Sequence, residues 1–208
     1  MTWFRRIPLQ FRRTPLQAVR WVVLDCETSG LDIARDRLLS VGAVAVREGR
    51  VQVADAFEAR VRQQTPSPPE NIVIHGIGGD AQVSGGKELD PVMRELTEFL
   101  RDSVPVAFHA PFDAGILRRH GLALGAPWLD LAGLAPALFP ALGGKDSALE
   151  HWLAAFGIPP LARHDALGDA FAAAQLLLVM LNEAQRHSLD TVEALSKTER
   201  AGRWLARR

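Results

Sequence analysis

Tyrosine is absent from the 208 residues, cysteine occurs once, at Cys26, and lysine only three times against 21 arginines. Without tyrosine, no phenol can take a catalytic role. A single cysteine excludes a disulfide framework within the chain and fits a reducing, cytoplasmic setting. No apolar run reaches the roughly 18–20 residues of a membrane span; the nearest, Ala170 to Leu181, is shorter and holds Gln175. An excess of charge is missing too, since 24 basic residues balance 24 acidic ones. Taken whole, that zero argues against a nucleic-acid partner. What is present is a 48% apolar share, enough for a sizeable core and too much for a disordered chain. The length is that of one domain, or one domain with short extensions.

Resolved along the chain, the zero is an average over opposite parts. Residues 1–20 carry Arg5, Arg6, Arg12, Arg13 and Arg20 and no acid, and Lys197 to Arg208 carries five basic residues against Glu199. The stretch between them holds 14 basic and 23 acidic residues, a net of −9. The first arginines are not followed by an apolar stretch of 7–15 residues, so a secretory reading fails. The reading is of a basic N-terminal extension (1–20), a body (21–186) and a basic C-terminal tail (187–208). Trp3, Phe4, Ile7, Leu9 and Phe11 interleave with the first arginines, so the extension has material to dock on the body, a partner or a membrane surface.

The body reads as a mixed α/β sheet packed against helices. Trp21–Asp25, Leu38–Val46 and Val51–Val61 are strand-like, with Glu48-Gly49-Arg50 as a tight turn. Gln64 to Glu70 holds three prolines and reads as loop. Asp90-Pro91 opens a helix to about Arg101, Val104–Phe108 is a short buried strand, and Pro111–His120 is a helix closed by Gly121. Leu131–Leu142 is an irregular helix broken by prolines, Ser147 caps a helix to Phe156, and Ala166–Arg186 is a long apolar helix at the centre.

Three groups of acids stand at the ends of these elements. Asp25 and Glu27 close the first strand, and a period of two puts them on one face with Cys26 on the other. Two such carboxylates repel unless a cation neutralises them or one takes a proton; an acid ending a strand is also commonplace. Asp113 falls in the first turn of a helix after a buried strand, where α/β sheets place ligand sites and where the helix dipole favours any acid. Asp169 edges a helix face made of Ala, Phe and Leu, where an unpaired carboxylate is costly. Asp165 is the natural cap of that helix, and His164 precedes it on a loop.

In register, Asp25-x-Glu27-Thr28, Asp113 after His109-x-x-Phe112, and His164-x4-Asp169 resemble the three exonuclease motifs of the DEDD superfamily of 3′→5′ exonucleases, which includes the epsilon proofreading subunit of bacterial DNA polymerase III, RNase T and oligoribonuclease. The resemblance spans about Trp21 to Glu183. Thr28-Ser29-Gly30-Leu31 fits the end of the first motif, Arg37 to Val46 resembles the family's second strand, and Ile74-His75-Gly76-Ile77 its mid-domain substrate loop. Within the superfamily a histidine or a tyrosine precedes the last aspartate, so His164, in a chain without tyrosine, assigns it to the histidine (DEDDh) branch. Ala110 departs from the pattern, which commonly has asparagine there.

The resemblance implies a ribonuclease H-like fold, an exonuclease domain over 21–186 and two Mg²⁺ or Mn²⁺ ions held by Asp25, Glu27, Asp113 and Asp169, with His164 as general base. Two such ions suit phosphodiester hydrolysis, and hard ions prefer carboxylate oxygen. Thr28, Leu31, His75, Ile77 and Phe112 are its candidate substrate contacts. The expected activity is release of nucleoside 5′-monophosphates from single-stranded or frayed DNA 3′ ends, in proofreading or repair. A DNA polymerase or repair complex is the partner that proofreading requires. The alternatives are an RNA-trimming exonuclease of the same family and a non-catalytic interaction module.

Overall fold

Apolar, β-branched runs such as Trp21–Leu24 and Leu38–Val46 need a sheet buried on both faces. In the computed structural model, which describes residues 11, 13–124, 127–142, 148–160 and 165–206, they form β1 (Trp21–Thr28) and β2 (Leu38–Arg47). The two are antiparallel, with Trp21 opposite Val46 and Asp25 opposite Gly42. The turn at Glu48-Gly49, both left-handed, returns the chain as β3 (Arg50–Arg60). β4 (Val104–Ala107) and the two-residue β5 (Leu129–Asp130) then add in parallel on the other side of β1, giving the order β3-β2-β1-β4-β5.

The helices depart from expectation at several ends. The proline-rich loop stops at Pro68, because Pro69 in a first helical position pre-sets φ and opens α1 (Pro69–His75). The short α2 (Gly79–Ser84) follows. α3 (Leu89–Phe99) has Glu88 in the cap position without a side-chain cap, and Asp90 sits inside the first turn instead of capping it. α4 (Ala110–Arg119) and α5 (Leu131–Leu138, with Pro136 inside it) follow their strands directly. α6 (Leu149–Ala155) has Ala148 at its cap position, and Ser147 lies outside the described residues. α7 (Ala166–Arg186) has the expected bounds, with Asp165 accepting from the Gly168 N–H at 2.9 Å.

Alternation along β1 divides the core in two. Trp21 and Val23 pack with α5, α6 and α7, while Val22, Leu24 and Cys26 pack with α3 and α4. α7 is long and apolar enough to cross a membrane by length and composition. Here it lies against the sheet, and Ala170, Ala172, Ala174, Leu176, Leu177 and Met180 are fully buried.

Both charged ends take part in this packing. Leu16 and Val19 are buried, the Trp21 indole donates to the Leu16 carbonyl at 3.0 Å, and the Leu16 N–H donates to the Asp190 carbonyl at 3.1 Å. Arg20 donates to the Asp55 carboxylate at 2.7 Å and the Phe99 carbonyl at 2.7 Å, and lies 4.8 Å over the Phe99 ring. Its guanidinium holds the Asp55 carboxyl below its usual range. Within 187–208, residues Val192–Ala206 form a helix, α8, that crosses α5. Gly202 is needed at that crossing, since a Cβ there would lie 2.4 Å from the Gly133 carbonyl oxygen.

Candidate active site

β1 and β4 are parallel neighbours, and α7 packs across β1 and β2. α7 comes so close that a Cβ on Gly42 would lie 2.2 Å from the Leu167 nitrogen and 2.4 Å from the Ala166 carbonyl carbon. Gly42 is the residue paired with Asp25. The missing side chain therefore lets the first turn of α7 settle over the strand pair and bring Asp169 to Asp25.

Asp25, Glu27 and Asp169 each offer a carboxylate oxygen, and these oxygens all lie within 4.8 Å of one another. Asp113 is almost fully buried (3% exposed) in the first turn of α4. Its carboxylate accepts hydrogen bonds from the backbone N–H and thiol of Cys26, so it stands on the Cys26 side of β1 and outside that trio. All four acids line one open cleft of about 460 Å³, together with Cys26, Leu31, Phe108, His109 and Phe112.

The electrostatics follow from the crowding. Burial, then the charges of Asp113, Glu27 and Asp169, push the Asp25 carboxyl well above its usual range. Burial and Asp169 push Glu27 to about 7. Burial pushes Asp113 to about 8 despite its hydrogen bonds, with the Asp130 charge acting in the same direction.

The expected substrate contacts divide. Leu31, 86% exposed, and Phe112 line the cleft. Thr28 gives its hydroxyl to the Gly30 carbonyl at 2.6 Å, which closes the turn after β1. Ile77 is half-buried, its carbonyl accepts from the Gln82 amide at 2.8 Å, and it is not among the residues that line the cleft. The His75 side chain and all of His164 lie outside the described residues. His109, a residue of the second motif without an expected role, also lines the cleft. Its φ of 64° is unusual for a residue with a side chain, and it turns the chain from β4 into α4.

The family model for RNase T-type proteins, described as Exonuclease, matches residues 22–177. The chain belongs to the RNase T family of exonucleases. A DNA polymerase III subunit epsilon-like protein of Rhodobacter capsulatus is 35% identical over 197 residues, which cover 91% of this chain and 28% of that protein. The PolC-type DNA polymerase III of Halalkalibacterium halodurans is 30% identical over 190 residues, covering 88% of this chain and 13% of that one. This exonuclease therefore spans about a quarter of the first relative and about an eighth of the second. Among solved structures, Exonuclease X in complex with 5′ overhanging duplex DNA superposes with a TM-score of 0.66 at 22% identity, over 86% of this chain and 99% of that one. Escherichia coli Exonuclease I in complex with a dT13 oligonucleotide gives 0.68 at 17% identity, over 81% and 42%. These likenesses establish the ribonuclease H-like fold, and the family and its epsilon-like relative make the chain a DEDDh-type exonuclease.

The site suits divalent cations. Three carboxylates converge here, and burial together with their mutual repulsion raises the proton affinity of Asp25 and Glu27, so the site is short of positive charge; carboxylate oxygen is the ligand of choice for Mg²⁺ and Mn²⁺. A pH dependence follows. Glu27 and Asp113 bind more protons folded than unfolded between about pH 4 and 8, and Glu199, raised to about 7, adds to them. The contribution of these acids to stability in EDTA therefore falls as pH rises through that window, against a smaller opposite contribution from half-buried His120, whose pKa is lowered. A divalent ion binds the ionised carboxylates, so millimolar Mn²⁺ should raise the melting temperature more at pH 8 than at pH 5.5. An equal shift at both values would rule out the cluster as the binding site.

Proposed function

We propose that this exonuclease degrades DNA from its 3′ ends, releasing nucleoside 5′-monophosphates from single-stranded or frayed termini. The observation that carries the reading is the convergence of the Asp25, Glu27 and Asp169 oxygens in an open cleft beside buried Asp113. In this reading the four carboxylates hold two Mg²⁺ or Mn²⁺ ions, which when bound activate water, neutralise phosphate oxygens and stabilise the leaving alkoxide. The chain's own residues bind and orient. The β1 face and the first turn of α7 fix three acids on one side, and the first turn of α4 fixes the fourth on the other. Leu31 and Phe112 give the terminal nucleotide an apolar surface to pack on, as bases and sugars offer flat apolar faces. His164, one residue ahead of the cap of α7, takes the proton of the attacking water, since an imidazole titrates near working pH.

Residues 21–186 are the catalytic unit in this proposal. The polymerase names of its relatives support a proofreading or repair setting in the cytoplasm, with a polymerase or repair complex as partner. A 3′-labelled DNA strand and an RNA strand of the same sequence, each incubated with Mg²⁺ or EDTA, test the reading. The expected result is labelled mononucleotide from DNA with Mg²⁺ and none in EDTA. Release from the 5′ end, or undiminished release in EDTA, would overturn it, and faster release from RNA would make the enzyme an RNA-trimming exonuclease.

A further inference from the structure

Asp130 belongs to none of the three motifs, yet it is buried (4% exposed) at the point where β5 ends and α5 begins. One of its oxygens, Oδ1, accepts from two backbone N–H groups: Ala132, in the first turn of α5, at 3.1 Å, and Ala110, the first residue of α4, at 3.2 Å. Ala110 follows His109, whose left-handed backbone starts the turn that aims Phe112 and Asp113 into the cleft. The other oxygen, Oδ2, faces the Arg203 Nε of α8 at 3.7 Å. Arg203 is itself paired with Glu199, one turn earlier and 3% exposed. The glycine contact between α5 and α8 sets this geometry, because a Cβ on Gly133 would lie 2.8 Å from the Arg203 Cγ.

We propose that Asp130, steadied by the Arg203–Glu199 pair of α8, is a positioning residue of the exonuclease site: it anchors the His109–Ala110 turn and thereby fixes where Asp113 stands relative to Asp25. A buried carboxylate that accepts two N–H bonds and faces a guanidinium is a stiff joint. Groups that orient a metal-binding carboxylate affect metal affinity and turnover by about 10–100-fold when removed. The helix formed by the basic C-terminal residues is thereby linked to the chemistry through one side chain.

This inference rests on the proposed metal-dependent reaction, and its test separates the two. Asp130→Asn keeps the shape and the acceptor oxygen but loses the charge facing Arg203, while Arg203→Met removes the partner and keeps much of the packing stem. Mn²⁺ binding is measured with the metal alone, from the electron paramagnetic resonance signal of free Mn²⁺, alongside kcat, KM and melting temperature on a 3′-labelled oligothymidylate. Asp130→Asn should weaken Mn²⁺ binding and lower kcat by about 10–100-fold with KM unchanged. Arg203→Met should give a smaller loss of the same kind, with Arg203→Lys recovering part of it. If Asp130→Asn does not fold, Arg203→Met carries the test. Variants that melt earlier yet keep wild-type Mn²⁺ affinity and kcat would overturn the positioning role. A wild-type protein that neither binds Mn²⁺ nor releases nucleotide would overturn the reaction itself.

Discussion

Asp169→Asn is expected to reduce mononucleotide release by about 10³-fold or more, since each carboxylate in such a site supports several kcal/mol of transition-state stabilisation. The substitution replaces one carboxylate oxygen with an NH₂ group and leaves the helix intact. It also removes one of the charges that raise Asp25 and Glu27. The metal-free variant should therefore melt no earlier than wild type at pH 8, and slightly later if repulsion is strong. Activity lost without stability lost is the signature of an acid kept for chemistry at a cost to the fold. Release from a 3′-labelled strand and the melting temperature in EDTA check both halves. Activity within about tenfold of wild type would remove Asp169 from the reaction.

Gly42→Ala should be strongly damaging for a single methyl group. The new Cβ would lie 2.2–2.4 Å from backbone atoms of Ala166 and Leu167, and a backbone has no rotamer by which to yield. Overpacking of flexible side chains typically costs about 1–3 kcal/mol, so about 3 kcal/mol or more is expected here. Any helix displacement that relieves the clash also carries Asp169 away from Asp25. Misplacements of about 1 Å at a reacting centre can cost about 10²-fold, so activity should fall well below the melting transition as well. Wild-type melting temperature and turnover would mean that α7 approaches β2 less rigidly than the contact implies.

Gly42 also marks the boundary of what the chain makes legible in one dimension. The β-rich runs at 21–25 and 38–46, the approximate alternation at 51–61 and the capped, apolar run at 166–186 are local signals; the last three elements form within a residue of those bounds, and β1 runs on to Thr28. The acids at 25, 27, 113 and 169 are legible by type and order. Their convergence depends on a long-range contact that a glycine inside a strand does not announce. Elements without a local signature are not legible in the sequence. α1 begins inside a proline-rich stretch, and β5 has only two residues. α8 buries Glu199 and Gly202 beside Val192 and Leu195, so its inner face is too polar and too small to read as an apolar stripe, and its arginines and lysine read as a tail. Asp130 is hidden for a related reason. An aspartate between apolar residues looks like a helix cap, and it is one, but its second duty at Ala110 lies 20 residues away.

The single thiol gives this enzyme a native clock for the breathing of its catalytic strand. Cys26 is 8% exposed between two of the site acids, its burial and then the charges of Asp113 and Asp25 push its pKa up, and no other sulfhydryl competes with it. Cys26 edges the open cleft, so a disulfide-exchange reagent that enters the site reaches it faster whenever β1 parts from α4. The trapping rate therefore tracks access to the site, with no label introduced. Its slowing by divalent cations or by a DNA end would measure how firmly each one latches the site shut.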